Sequence, residues 1–172
     1  MVLKILIISN LLFIFFQDMR YRAVYWLAFP VLALLLAFSA VAKTGIYDIL
    51  YSSSLNISFL VLQFLLVSIY FTFRNNSWVN LTSEYLGWGD ILFLLCVAVY
   101  LSPGNYLLFY TFSLVVILPI AVFKQKFNYP KLVLVPLAGM QAFLLAGVLI
   151  FDWQSRLIDL SSDSWILKCL VV

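Results

Sequence analysis

A chain of 172 residues that is 66% hydrophobic and only 10% charged, with a mean hydropathy of +1.12, is far from the roughly 25% charged composition of a soluble domain. Its net charge of +3 is spread without a basic run, which excludes a nucleic-acid surface. Two distant cysteines, Cys96 and Cys169, and no histidine exclude a zinc site and a disulfide framework. A membrane protein remains: a hydrocarbon core of about 30 Å takes roughly 20 residues per helix, so this length holds about six spans, short loops and one domain.

Apolar runs at 2–16, 23–42, 57–73, 89–102, 106–123 and 132–151 predict an all-α, polytopic membrane protein with six transmembrane helices. The first run carries Lys4, and no small-residue cleavage site follows before Asp18, so it reads as a retained anchor rather than a signal peptide. The first and fourth runs are short and are expected to lengthen by passing beyond the hydrocarbon boundary. Residues 43–56 are expected to form a longer outer loop, and Ser102-Pro103-Gly104-Asn105 a tight link between the fourth and fifth helices. Pro30, Pro119 and Pro136 lie in or beside apolar runs, where proline can kink a helix. Gln63 and Gln141 are placed to hydrogen-bond between helices, and Ala138, Ala142 and Ala146 form a small-residue stripe for close helix packing. The tail from Asp152 onward is too short to span, with Trp165 as an expected interfacial anchor.

Six helices place the segments 17–22, 74–88 and 124–131 on one side, with Arg20, Arg22, Arg74, Lys124, Lys126 and Lys131. The positive-inside rule makes that side cytoplasmic. Asp18 and Asp90 both fall there, at the end of the first run and the start of the fourth.

An acid beside hydrocarbon is costly, and it marks a functional site by default. Taken singly, each aspartate has a plainer reading: Asp90 as a helix cap, and Asp18 as a partner of Arg20 or Arg22. Taken together, two carboxylates held a few ångströms apart share a proton. The ionised member then draws a proton from water while its protonated partner polarises a scissile carbonyl, chemistry that needs no metal, cofactor or nucleophilic side chain. The pair titrates as a unit, so acid and base are not assigned to one residue or the other. Gly87 and Gly89 are expected to give the backbone freedom and close approach of an active-site loop.

Asp18-Met19-Arg20-Tyr21-Arg22 after a first helix, and Gly87-Trp88-Gly89-Asp90 opening a fourth, resemble the type IV prepilin peptidase family of GxGD aspartyl proteases. Lys126-Phe127-Asn128-Tyr129-Pro130-Lys131, leading into Pro136 and Gly139, is similar to that family's basic, proline-containing approach to its last helices. The resemblance implies a bacterial inner-membrane enzyme that removes basic leader peptides from prepilin-like precursor proteins at the cytoplasmic face. Asp18 and Asp90 would be the catalytic pair, and Gly87 and Gly89 the active-site loop. Arg20 and Arg22 could meet substrate or membrane lipid headgroups, and Glu84 could attract a basic leader. The chain looks like the short form, without the cysteine-rich cytoplasmic insertion, so no methyltransferase activity is carried over. Leu92 stands where the family commonly has lysine, and Val24-Tyr25-Trp26 where it has an Ile-Pro-Asn-like element. These departures motivate an alternative, a non-enzymatic subunit that binds or scaffolds pilus or secretion components. A third reading, a small proton-coupled transporter, is disfavoured because both acids lie at one face rather than at mid-membrane.

Overall fold

Lipid offers no hydrogen bonds, so an apolar chain there closes its backbone groups within helices. The structure, a computed structural model, describes residues 1–75, 87–127, 137–155 and 159–166. The main elements among them are α1 (Val2–Tyr21), α2 (Ala28–Thr44), α3 (Ile46–Asn75), α4 (Trp88–Ala98), α5 (Pro103–Phe127) and α6 (Leu137–Ser155). Four stretches among the described residues are long and apolar enough to cross a membrane: Val2–Tyr21, Ile46–Arg74, Pro103–Ile120 and Leu137–Gln154. Outward-facing Phe38, Leu62, Leu66, Phe112 and Val115 are exposed, the surface a multi-pass protein presents to lipid. At the α1 C-terminal end, Tyr21, Tyr25, Trp26 and Trp88 are exposed, the residue types that settle at headgroup level.

Residues 43–56 do not form a loop. Helix α2 continues through Thr44, Gly45 turns the chain with φ +90°, and α3 begins at Ile46. One glycine suffices because it adopts this backbone conformation without steric cost. The polar residues beyond it are absorbed by the helix: the Ser54 and Ser58 hydroxyls donate to the Tyr51 and Ser54 carbonyls at 2.7 and 2.8 Å. Asn56 turns inward and is only 2% exposed.

The fourth helix also differs from expectation. At 11 residues and 1.5 Å per residue it covers only about 16 Å. Its C-terminal end is enclosed by protein rather than lipid: Ala98, Tyr100 and Leu101 are buried, and the chain continues as turns. The Asn56 amide donates to the Ala98 and Leu101 carbonyls at 3.0 and 2.8 Å, which satisfies the end of a helix that stops inside the bundle. Asn56→Leu keeps the volume but leaves both carbonyls without this donor. It is expected to cost about 1–3 kcal/mol, read as a lower Tm in detergent micelles; an unchanged Tm would show that the amide is dispensable.

The most extensive helix pairing is α1 with α6. Ile7, Leu11, Ile14 and Asp18 form the buried face of α1, and the small residues Ala138, Ala142 and Ala146 of α6 are buried. The two glutamines do pair between helices: Gln63 donates to the Tyr110 hydroxyl at 2.5 Å, and Gln141 to the Ser113 hydroxyl at 3.1 Å. Pro30 lies in the first turn of α2 and Pro119 lies inside α5, while Pro136 is outside the described residues.

At the opposite end from Asp18, the link 102–105 is tight as expected, and the tail folds back onto it. Asp163 accepts from the Ser102 hydroxyl at 2.5 Å and from the Gly104 and Asn105 amides at 3.2 and 3.3 Å. It thereby caps the first turn of α5. The indole N–H of Trp165 donates to Asn105 at 3.1 Å, so the polar end of this side chain is turned to protein instead of to the interface. Lys43 bridges Asp152 and Asp159 at 3.3 and 3.7 Å. Burial raises the Asp159 carboxyl, but the Ser161 hydroxyl and amide, the Ser162 hydroxyl and Lys43 together hold it below the usual carboxylate range.

Candidate active site

Asp18 belongs to the last turn of α1, one turn before the helix ends. The Arg22 N–H closes that end on the Asp18 carbonyl, with Arg22 at φ 52°, and the Tyr25 amide donates to Gln17 at 2.9 Å. The turn fixes the azimuth of residue 18 on the same stripe as Ile7, Leu11 and Ile14, so its side chain enters the bundle and is 8% exposed.

Asp90 is the third residue of α4, whose N-cap is Gly87. One of its oxygens, Oδ2, accepts from the Gly87 N–H at 3.2 Å, the backward reach of an acid at this position of a capping box. The plain helix-cap role is therefore real for one oxygen. The other oxygen, Oδ1, crosses to α6 and accepts from the Ala138 N–H at 2.7 Å.

The neighbouring amide holds the other aspartate. Gly139 N–H donates to Asp18 Oδ2 at 2.6 Å. Two carboxylates from helices far apart in sequence thus occupy consecutive amides in the first turn of α6, and the Asp18 charge acts on Asp90. The first amides of a helix have no partner within it, and the helix dipole favours negative charge there. The α6 N-terminus therefore stabilises a concentration of acid that hydrocarbon would reject. Asp18 Oδ1 has no hydrogen-bond partner among the described residues, which leaves it the oxygen able to address a water molecule or a substrate carbonyl.

Gly139 is the glycine that this geometry requires. A Cβ at residue 139 would lie 2.8 Å from Asp18 Cβ and 2.9 Å from its Oδ2. The two glycines singled out from the sequence behave differently. Gly87 has ordinary extended angles, φ −72° and ψ 142°, and a Cβ there would come within 3.2 Å of Asp90 Oδ2. A Cβ at Gly89 would meet only Phe29 Cζ at 3.6 Å, an ordinary contact. Backbone freedom at positions 87 and 89 is thus not what the site uses; Gly87 gives room to the Asp90 carboxylate.

Neither arginine pairs with Asp18 among the described residues. The Arg20 guanidinium lies 5.9 Å from the Phe16 ring centroid and 5.5 Å from that of Tyr21, and Arg22 is exposed. Glu84 falls outside the described residues. Leu92 packs against the core. Among the described residues no group of three His, Cys, Asp or Glu side chains is placed to hold a metal ion.

The Ala138 and Gly139 amides are the part of the site that sequence reading did not assign. Their signal is faint: two small residues at the start of an apolar run, which also suit plain helix packing. No protein-family model matches the chain, and it has no match among curated proteins or among solved structures.

Proposed function

We propose that this chain is an aspartyl endopeptidase of the bacterial inner membrane that removes basic leader peptides from prepilin-like precursors. In this reading α1 to α6 all traverse the bilayer, with α2 and the short α4 sheathed by the longer helices, and the aspartates face the cytoplasm. The observation that carries it is the joint anchoring of Asp18 and Asp90 on the consecutive amides of Ala138 and Gly139. Charge placement supports the orientation, since the sequence segments expected on the Asp18 side hold Arg20, Arg22, Arg74, Lys124, Lys126 and Lys131. The exposed Tyr21, Tyr25, Trp26 and Trp88 support a position of the pair near headgroup level, where a water-soluble leader would meet the apolar segment that follows it.

With one proton on the pair, the ionised carboxylate takes a proton from water as its oxygen adds to the scissile carbonyl. The protonated partner donates to the carbonyl oxygen. The singly protonated pair then gives its proton to the amide nitrogen and takes one back from a hydroxyl of the tetrahedral intermediate as the C–N bond breaks, which releases a carboxylic acid and an amine and leaves one proton on the pair. Helix α6 supplies two fixed donors throughout, so the carboxylates need no reorganisation at the moment of reaction.

A second reading, a leader-binding subunit without catalysis, is favoured by Leu92, which packs an apolar side chain against the core where the resembled family commonly has lysine. The deciding experiment follows precursor processing in membranes carrying either wild type or the Asp18→Asn/Asp90→Asn double variant, with membrane insertion checked for both. Processing by wild type and none by the double variant is the expected result. Equal processing by the two would overturn the peptidase reading, and leader binding without cleavage by wild type would establish the subunit reading.

A further inference from the structure

At the end of the bundle remote from the aspartates, a groove of about 480 Å³ lies between the start of α1 and the end of α6, lined by Met1, Lys4, Ile5, Ile8, Leu12 and Trp153, with Ser9. We infer that it is a binding site for one anionic phospholipid, its acyl chain along α1 and its phosphate at Lys4. This site is independent of the peptidase reading.

Three observations select that occupant. Ile5, Ile8 and Leu12 recur at the spacing of a single helix face, an apolar stripe that runs about 10 Å along the axis from the turn that carries Lys4 and against which the upper part of an acyl chain can lie. Among the described residues Lys4 is the one charged side chain lining the groove, and it has no acidic partner among them. Its ammonium sits 4.8 Å from the Trp153 ring centroid, an arrangement that holds the charge at the groove rim through cation–π attraction. Tryptophan with lysine is the pair of residue types that settles at the headgroup level of a bilayer. An apolar chain gains little by moving from bulk lipid to an apolar groove, so selection must come from the headgroup. The Lys4 cation at the rim selects a phosphate bearing net negative charge over a zwitterion.

The test is native mass spectrometry of the full chain, released from micelles containing equal amounts of phosphatidylglycerol and phosphatidylcholine. Wild type is expected to retain the anionic lipid about fivefold over the zwitterion, the effect of one lysine near an anionic headgroup. Lys4→Gln should bring the ratio to parity, while Lys4→Arg should keep it. Ser9→Trp, at an exposed position, fills the groove and should lose both lipids, with helicity by circular dichroism unchanged. Parity in wild type, or an unchanged preference in Lys4→Gln, would overturn the site. A lipid-independent dimer that Ser9→Trp dissociates would assign the groove to a second copy of the chain and would overturn it equally.

Discussion

Asparagine at Asp18 alone, or at Asp90 alone, is expected to abolish cleavage as fully as asparagine at both, a loss of about 10³-fold or more in each of the three variants. In the proposed mechanism the two carboxylates share one proton and serve one water, so removing either leaves nothing for the other to do. Asparagine is chosen because it conserves the packing. Its carbonyl oxygen can still accept from the Gly139 N–H at position 18 or from the Ala138 N–H at position 90, the shorter bonds that hold these side chains now, and at position 90 only the longer, exposed bond from the Gly87 N–H is lost. The fold should therefore persist in all three variants, with Tm within a few degrees of wild type. The measurement is the processing rate of one precursor by the four proteins side by side. A double-variant loss equal to the product of the single losses would mean two independent residues, and the shared-proton mechanism would have to be abandoned.

Gly139→Ala is expected to reduce the rate about 10²-fold even though it touches no ionisable atom. The new methyl would come 2.8 Å from Asp18 Cβ, so Asp18 must move by a sizeable fraction of an ångström, and displacement on the order of 1 Å at a reacting group costs about 10²-fold. Overpacking at this helix contact should also lower stability by about 1–3 kcal/mol. Gly89→Ala is the matched control, because its methyl meets Phe29 at an ordinary 3.6 Å. Less than about a threefold change is expected there, since an ordinary van der Waals contact adds little strain. The opposite order, with residue 89 sensitive and residue 139 tolerant, would show that the active-site loop and not α6 sets the position of the aspartates. Assays of both variants against wild type, with expression levels matched, decide between them.

The helix runs were legible because lipid imposes one rule on every span, and the two aspartates stood out because acids are rare beside apolar runs. What escaped the sequence was carried by single residues whose meaning depends on distant partners. Asn56 looks like one more polar residue in a loop until the buried carbonyls of Ala98 and Leu101, 42 and 45 positions later, are seen to need a donor. The stretch after Gly45 reads as non-helical by composition, and yet serines bonded back to their own helix are compatible with α3. Gly139 was visible only as a small residue, because the clash it avoids is with a side chain 121 positions away. The glycines beside Asp90 drew attention by proximity in sequence; Gly87 does leave room for the Asp90 carboxylate, but the tighter approach is at Gly139, far from either aspartate in sequence.

The cap that Asp163 places on α5 has a consequence for the order in which the chain is made. Asp163 lies 59 residues after Gly104, whose amide it accepts. At about 5–20 residues per second, a ribosome delivers the cap several seconds after it has released the helix. During that interval the amides of Gly104 and Asn105 depend on water at the membrane surface, so α5 is held at that end by solvent. Its final depth is set only when residues 159–166 emerge and dock. Closure of that end of the bundle therefore follows helix formation and is timed by translation of residues 159–166.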